Sequence, residues 1–487
     1  VAFLAFDGVI LAHLCGRSIL FFAMKRRAFV RGAGRPAANS FPGVPSLPVA
    51  PAFPEVRPAA GQRQFRSAAV EAAIGEFQGR VKDAELGWLF GNCLANTLDN
   101  NVTHTTRAGR PDTFVRAGDL DAMSLRDSAM QAWPYLALVT RDAALRQLVA
   151  GVINRQTQCI LQDPYANSFY ADKTRVGEWQ PGVHERKWGL DSLCHPIRLG
   201  YHYWKITGDE QPFDRQWREA IRLTVNTFRE QQRKTGPGPY RFQRPTANAL
   251  DTQALAGAGY PARPGGLIAS AFRPSGDATL LPFSVPANFF AVASLRQAAL
   301  MLYDIAHEQA GYNELMALAD EIGWALRQHA LIAHPALGLV YAYEVDGYGG
   351  RVIMDDASVP GLLSLPYLGA LPLNEGSYQS TRQLALSSAN PFFFSGPAGA
   401  GIGSPRTGPD QIGPGSMAMR GLTSPDEAEI RACVQSLKAA HAGAGYLPAA
   451  FHKDDAGQAT GPKSAGANAL TGEFLWKVYQ ERPHLLA

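Results

Sequence analysis

From Phe65 to the C-terminus, apolar residues recur at three- and four-residue spacing, the period of amphipathic helices. The alanine-rich stretch 68–81 sets the pattern. It is repeated over 122–137, 145–161, 190–206, 212–231, 286–306, 312–329, 425–442 and 467–479. Strict alternation is short, clearest over 339–345 before a glycine-rich turn. The expectation is an all-α body of roughly ten to twelve helices with short β excursions. Two junctions echo each other: Gly276-Asp277-Ala278 and Asp355-Asp356-Ala357 each precede a proline-containing helix start. Aspartates there are what N-capping produces. In a closed ring of helices the same placement brings several electropositive helix ends to one mouth. The pattern fits an α/α toroid with a polar pocket at one end.

Composition divides the chain. Residues 40–58 (SFPGVPSLPVAPAFPEVRP) read as an extended tether. The division is an N-terminal segment over 1–38, a proline-rich linker over 39–64 and a single helical domain over 65–487. Residues 1–22 are apolar but interrupted by Asp7, His13 and Arg17, a poor spanning helix, so no stable membrane insertion is expected. Translation from Met24 would give MKRRAFVRGAG, which looks like a twin-arginine export signal. Arg35, Asn39 and Pro42 break the apolar region that should follow, so such a signal is degraded. The location is periplasmic or secreted if it works, cytoplasmic otherwise. A net charge of +4 without a basic stripe argues against nucleic acid. The five cysteines are scattered and no Cys/His cluster occurs, so neither disulfides, a metal nor another cofactor is expected.

The densest chemistry lies in 118–136, GDLDAMSLRDSAMQAWPYL, with Asp119, Asp121, Arg126 and Asp127 just ahead of a helix. Carboxylates accept from hydroxyls and a guanidinium donates in a fixed fork, which suits a polyhydroxyl ligand. The alternative is that Asp127 caps the helix and pairs with Arg126. A second cluster, HERKWGLDSLCHPIR over 184–198, carries Glu185, Arg186, Lys187 and Asp191, facing either a ligand or solvent. In FRPSGDA (272–278), Arg273 and Asp277 flank a turn that would present both at a loop tip. MDDASVPGLLSLPYLG (354–369), the glycine-rich GPAGAGIGSP (396–405) and FHKDD (451–455) follow. No GxSxG, HExxH or P-loop is present.

Taken in order, NTLDNNV, DTFVRAGDLDAMSLRDS, ERKWGLDSLCHPIRL, FRPSGDA, MDDASVPGLLSLPYLG, GIGSPRT and HKDD resemble glycoside hydrolase family 125. That resemblance spans 65–479. It implies an (α/α)6 barrel and a metal-independent, inverting exo-α-1,6-mannosidase acting on mannose-containing glycans. By this resemblance Asp119, Asp121, Arg126, Asp127, Glu185, Arg186, Asp191 and Arg273 grip sugar hydroxyls, and Asp277 is the candidate general acid.

The motifs depart from the family pattern at points that carry chemistry. Ser124, Ala269 and Gly413 stand where tryptophan is expected, and Gly189 where an acidic residue is usual. The turn RPSDDA has become RPSGDA, so Gly276 replaces the first aspartate. HESF has become Pro448-Ala449-Ala450-Phe451, placing Ala449 at the general-base position, and RPWFAWAN has become GPKSAGAN over 461–468. An inverting glycosidase needs two carboxyl groups about 6.5–9.5 Å apart. Asp454 and Asp455 are the nearest replacement bases in sequence. Three outcomes are open: an enzyme with a relocated base, a non-hydrolytic carbohydrate-binding pseudoenzyme, or a degenerate inactive copy.

Overall fold

The computed structural model describes residues 53–461 and 463–486, and ahead of them a short antiparallel pair, Ala5–Phe6 with Val9–Ile10. The remaining N-terminal residues, with the proposed export signal and the first part of the linker, lie outside the described residues. The second part of that linker is not a free tether. Phe53 stacks on Trp88 with ring centroids 5.1 Å apart, and Trp88 Nε1 donates to the Pro54 carbonyl at 2.9 Å. Arg57, largely buried, ion-pairs with Asp99 at 2.7 Å and Glu71 at 2.6 Å. Aromatic and charged side chains among the prolines have partners on the first two helices, so the body begins near Phe53.

Twelve α-helices occur among the described residues: α1 Ala68–Arg80, α2 Ala84–Asn100, α3 Leu125–Ala132, α4 Ala143–Gln162, α5 Asp191–Thr207, α6 Arg215–Gln231, α7 Val285–Asp304, α8 Gln309–His329, α9 Gly376–Ala385, α10 Pro414–Leu422, α11 Glu427–Ala440 and α12 Ala465–Glu481. Most begin where a side chain accepts from an otherwise orphaned amide. Ser67, Asp83, Ser124, Asp142, Asp214, Asp426 and Ser464 all do so.

The helices form an inner and an outer layer. α3 packs on α5, α5 on α7, α10 on α12, and α12 returns to α3. The turn-rich stretch 361–369 is tied to the inner layer: the Tyr367 hydroxyl donates to Glu473 of α12 at 2.8 Å, and Arg198 of α5 donates to the Tyr367 carbonyl at 2.9 Å. Outside, α4 packs on α6, α8 on α7 and α11 on α10. This is the α/α barrel arrangement expected from the sequence, with small antiparallel β-pairs between helices. α7 is long and apolar enough to cross a membrane, but its apolar surface is buried against α5 and α8.

α2, α9 and α10 are not among the helical stretches expected from the sequence. α2 is buried on nearly every side, so apolar and small residues occupy all faces and the period disappears. α10 (PGSMAMRGL) is short, starts on proline and contains two glycines, which hides it from any propensity argument. The expected strand over 339–345 resolves into Gly338–Tyr341, paired with Leu331–His334, and Glu344–Val345, paired with Phe283–Ser284 and Arg351–Val352.

Candidate active site

The N-terminal ends of α3, α5, α10 and α12 converge on one cleft. Ser124, Arg126 and Asp127 come from α3, Asp191 and Ser192 from α5, Gly413 precedes α10, and Ser464, Ala465 and Gly466 open α12. The cleft has two lobes, of about 350 and about 470 Å3, which share Ala117, Arg126, Asp127, Ser275 and Arg406. Helix N-termini favour acceptors and anions, so the mouth is polar before any side chain is considered.

The first lobe is densely charged. Arg126 Nε donates to Asp127 Oδ1 at 2.8 Å, and Asp191 is buried beside them. Burial pushes the Asp191 carboxyl up to about 6, against the opposing pull of Arg126. Glu185 accepts from Asn167 at 2.9 Å and Arg244 at 3.0 Å. Lys187, buried, bridges to Asp251 and donates to the Gly276 carbonyl at 3.0 Å. Arg273 is held by Glu344, Nε to Oε1 at 2.6 Å, with its guanidinium 5.3 Å from the centre of the Tyr343 ring. Three buried polar atoms have no hydrogen-bond partner: Arg273 Nη2, on the lobe wall, and Tyr343 Oη and Asp356 Oδ2, which line neither lobe. Burial raises the Asp356 carboxyl, with Arg273 opposing. An unpaired buried polar group is costly, so Arg273 Nη2 at the lobe wall is suited to a ligand or water carrying hydroxyls.

The second lobe is lined by small residues, among them Ala357, Gly403, Gly413, Ala449, Ala465 and Gly466. Its only lining carboxylates are Asp119 at the exposed lip and Asp127. Lys463 also lines it and, among the described residues, forms no ion pair. Aromatic side chains, which give sugar sites flat apolar area, are absent from this wall.

A family model described as metal-independent alpha-mannosidase (GH125) matches residues 83–476. The chain belongs to glycoside hydrolase family 125. It is 37% identical over 459 residues to the meiotically up-regulated gene 157 protein of Schizosaccharomyces pombe (strain 972 / ATCC 24843), covering 89% of this chain and 90% of that one. It also superposes, with a TM-score of 0.82 and 35% identity, on a metal-independent alpha mannosidase of Streptococcus pneumoniae in a non-productive complex with alpha-1,6-mannobiose, covering 86% of this chain and all of that one. A bacterial glucoamylase complexed with acarbose shares the fold at 12% identity and a TM-score of 0.52, covering 80% of this chain and 55% of that one.

Within this GH125 chain the sequence-based site assignments divide. Arg126, Asp127, Glu185, Asp191 and Arg273 line the first lobe, and Asp119 the second. Asp121 is exposed and pairs outward with Arg175 at 2.5 Å. Arg186 also turns away, pairing with Asp163 at 2.7 Å and lying over the Tyr165 and Tyr240 rings. The cap of α3 is Ser124 and not Asp127.

The FRPSGDA turn does not present Arg273 and Asp277 at its tip. Both are buried, the Arg273 amide donates to the Asp277 carbonyl at 2.8 Å, and Ser275 and Gly276 form the cleft wall. Asp277 is fully covered, accepting from Ser275 Oγ at 3.0 Å and lying 3.0 Å from Arg406 Nη2. It lines neither lobe and lies directly behind the cleft-lining Ser275, Gly276 and Arg406. Asp454 and Asp455, the expected replacement bases, line neither lobe. Asp454 lies in the turn between two paired strands, Ala450–His452 and Asp455–Thr460, and Asp455 opens the second strand, both outside the cleft. Asp454 pairs with Lys453, and Asp455 accepts from the Gly457 amide and Gln458.

Residues not singled out from sequence include Asp251, Tyr343, Arg406 and Lys463, and Asp356 was read only as a capping aspartate. Arg406 and Asp356 lay inside quoted motifs and were legible as neighbours of functional positions. Asp251 is brought to the cleft from a single turn of 3-10 helix, Ala249–Asp251, whose local sequence carries no signal.

Proposed function

We propose that this protein uses the GH125 cleft to hold a terminal mannose unit of a glycan without hydrolysing it by the ordinary inverting route. The observation that carries this reading is the cleft wall: Gly276 and Ala449 line its two lobes, and no carboxylate occupies either position. Asp277 lies behind the wall, and Asp454 and Asp455 lie outside it. Inversion needs an acid beside the leaving oxygen and a base opposite it, holding water. Losing one such group costs about 10²–10⁴ in rate. The hydroxyl-binding side remains. Arg126, Asp127, Glu185, Asp191 and Arg273 present donors and acceptors, and Arg273 Nη2 is unpaired.

Alpha-1,6-mannobiose, the ligand named for the Streptococcus pneumoniae relative, is the first probe. The full chain is to be titrated with mannose and mannobiose by calorimetry, and turnover followed by NMR of the released anomer. Saturable binding with intact mannobiose is expected. Release of β-mannose at a rate ordinary for a glycosidase would replace this reading with an enzyme whose acid and base lie elsewhere in the cleft.

A further inference from the structure

A side chain built onto Gly276 would begin at a point that cations already surround. Its Cβ would lie 3.4 Å from Arg406 Nη2 and 3.8 Å from Lys187 Nζ, and the third nearest heavy atom is Arg406 Cζ. Gly276 has φ +82°, a left-handed conformation that glycine adopts freely. By the resemblance the family turn carries an aspartate here, so this chain lacks that negative charge at a point beside two cations, which pair instead with Asp251 and Asp277. Arg406 remains partly exposed to the cleft, with its side chain 43% accessible. Its nearest carboxylate, Asp277, stands 3.0 Å away, yet Asp277 Oδ1 accepts no hydrogen bond. A third cation, Arg273, lines the same lobe, is 3% exposed and leaves Nη2 without a partner.

We infer that the notch at Gly276 is an oxyanion cradle, and that the protein takes a glycan whose sugar bears an acidic group, a phosphate ester or a carboxylate. This rests on the carbohydrate reading above and specifies its ligand. Arg406 supplies a planar fork suited to either oxyanion, and Lys187 a point charge from the other side. Both are carried by structure the ligand need not order: Lys187 is pinned by Asp251 and by the Gly276 carbonyl, and Arg406 lies beside Asp277. The acidic group would therefore stand where the family's aspartate stood, with its sugar ring directed toward Asp127 and Asp191 across the same lobe.

The test uses the full chain, with thermal unfolding and calorimetry against inorganic phosphate, acetate, mannose, mannose 6-phosphate and glucuronate. Phosphate and acetate alone are expected to raise the unfolding temperature. An acidic sugar is expected to bind at least about tenfold more tightly than mannose. The better of mannose 6-phosphate and glucuronate identifies the phosphate or the carboxylate as occupant. Gly276→Asp, which refills the notch, and Arg406→Gln, which removes the fork, should each abolish the preference. If Gly276→Asp does not fold, Arg406→Gln decides alone. Mannose binding with no anion effect, or an anion effect that survives the folded variants, overturns the cradle. Anion binding lost on Arg406→Gln, without any mannose binding, keeps the cradle and removes the mannose reading.

Discussion

Asp277 and Arg406 face each other across the back of the cleft wall, Oδ1 to Nη2 at 3.0 Å, with the carboxylate fully buried and the guanidinium partly exposed. The pair gives Asp277 a structural role whether or not it takes part in chemistry. Asp277 holds the turn through Ser275 and keeps Arg406 at the cleft.

Asp277→Ala is therefore expected to weaken the fold and not the chemistry. Removing a buried, hydrogen-bonded carboxylate costs about 1–3 kcal/mol. Urea unfolding should report that loss, while calorimetry reports little change in mannose affinity. Abolished binding in a variant of unchanged stability would place Asp277 in the site after all.

Restoring both missing carboxylates should create activity. Gly276→Asp with Ala449→Glu is expected to hydrolyse α-1,6-mannobiose with release of β-mannose, and each single variant to fall about 10²–10⁴ below the pair. The aspartate must adopt a positive φ, at a cost of about 1–2 kcal/mol, which a folded body of this size can absorb. A folded double variant without turnover would show that the other wall changes also matter.

Asp191 makes stability depend on pH in a definite direction. Its folded-state carboxyl is raised to about 6 from an ordinary value of 3.8. Between those values the unfolded chain has lost the proton that the folded protein still holds, so this group's contribution to stability falls as pH rises from about 4 to about 6. The change is about 3 kcal/mol, after which it is constant. Asp191→Asn should flatten that part of the profile and be more stable than the parent at pH 7. An unchanged slope in urea titrations at pH 4, 5 and 6 would place Asp191 in a more solvated setting.

Asp454→Ala with Asp455→Ala should be silent. Their partners are local and solvent-facing, so stability should change by no more than about 0.5 kcal/mol and mannose binding not at all. Loss of ligand binding would mean that the 453–455 turn folds over the cleft.

Much of this protein was determined by its sequence alone. The helical period, the N-capping serines and aspartates and the ordered motifs specify an α/α barrel of family 125, because local periodicity and capping are short-range properties. The same motifs marked Arg126, Asp127, Asp191 and Arg273 as neighbours of a polyhydroxyl site. What sequence could not determine is which way each side chain faces. Arg186 and Lys187 are adjacent, yet one pairs outward with Asp163 and the other inward with Asp251, since alternate residues of an extended segment point to opposite sides. Asp277 follows the residue that forms the cleft wall and is sealed behind it, and Asp454 and Asp455 belong to a turn that leaves the cleft. Gly276 and Ala449 were legible in the sequence, but tertiary packing alone decided that Lys187 and Arg406 stand together at Gly276, because these cations come from segments more than 200 residues apart that meet only in the folded body.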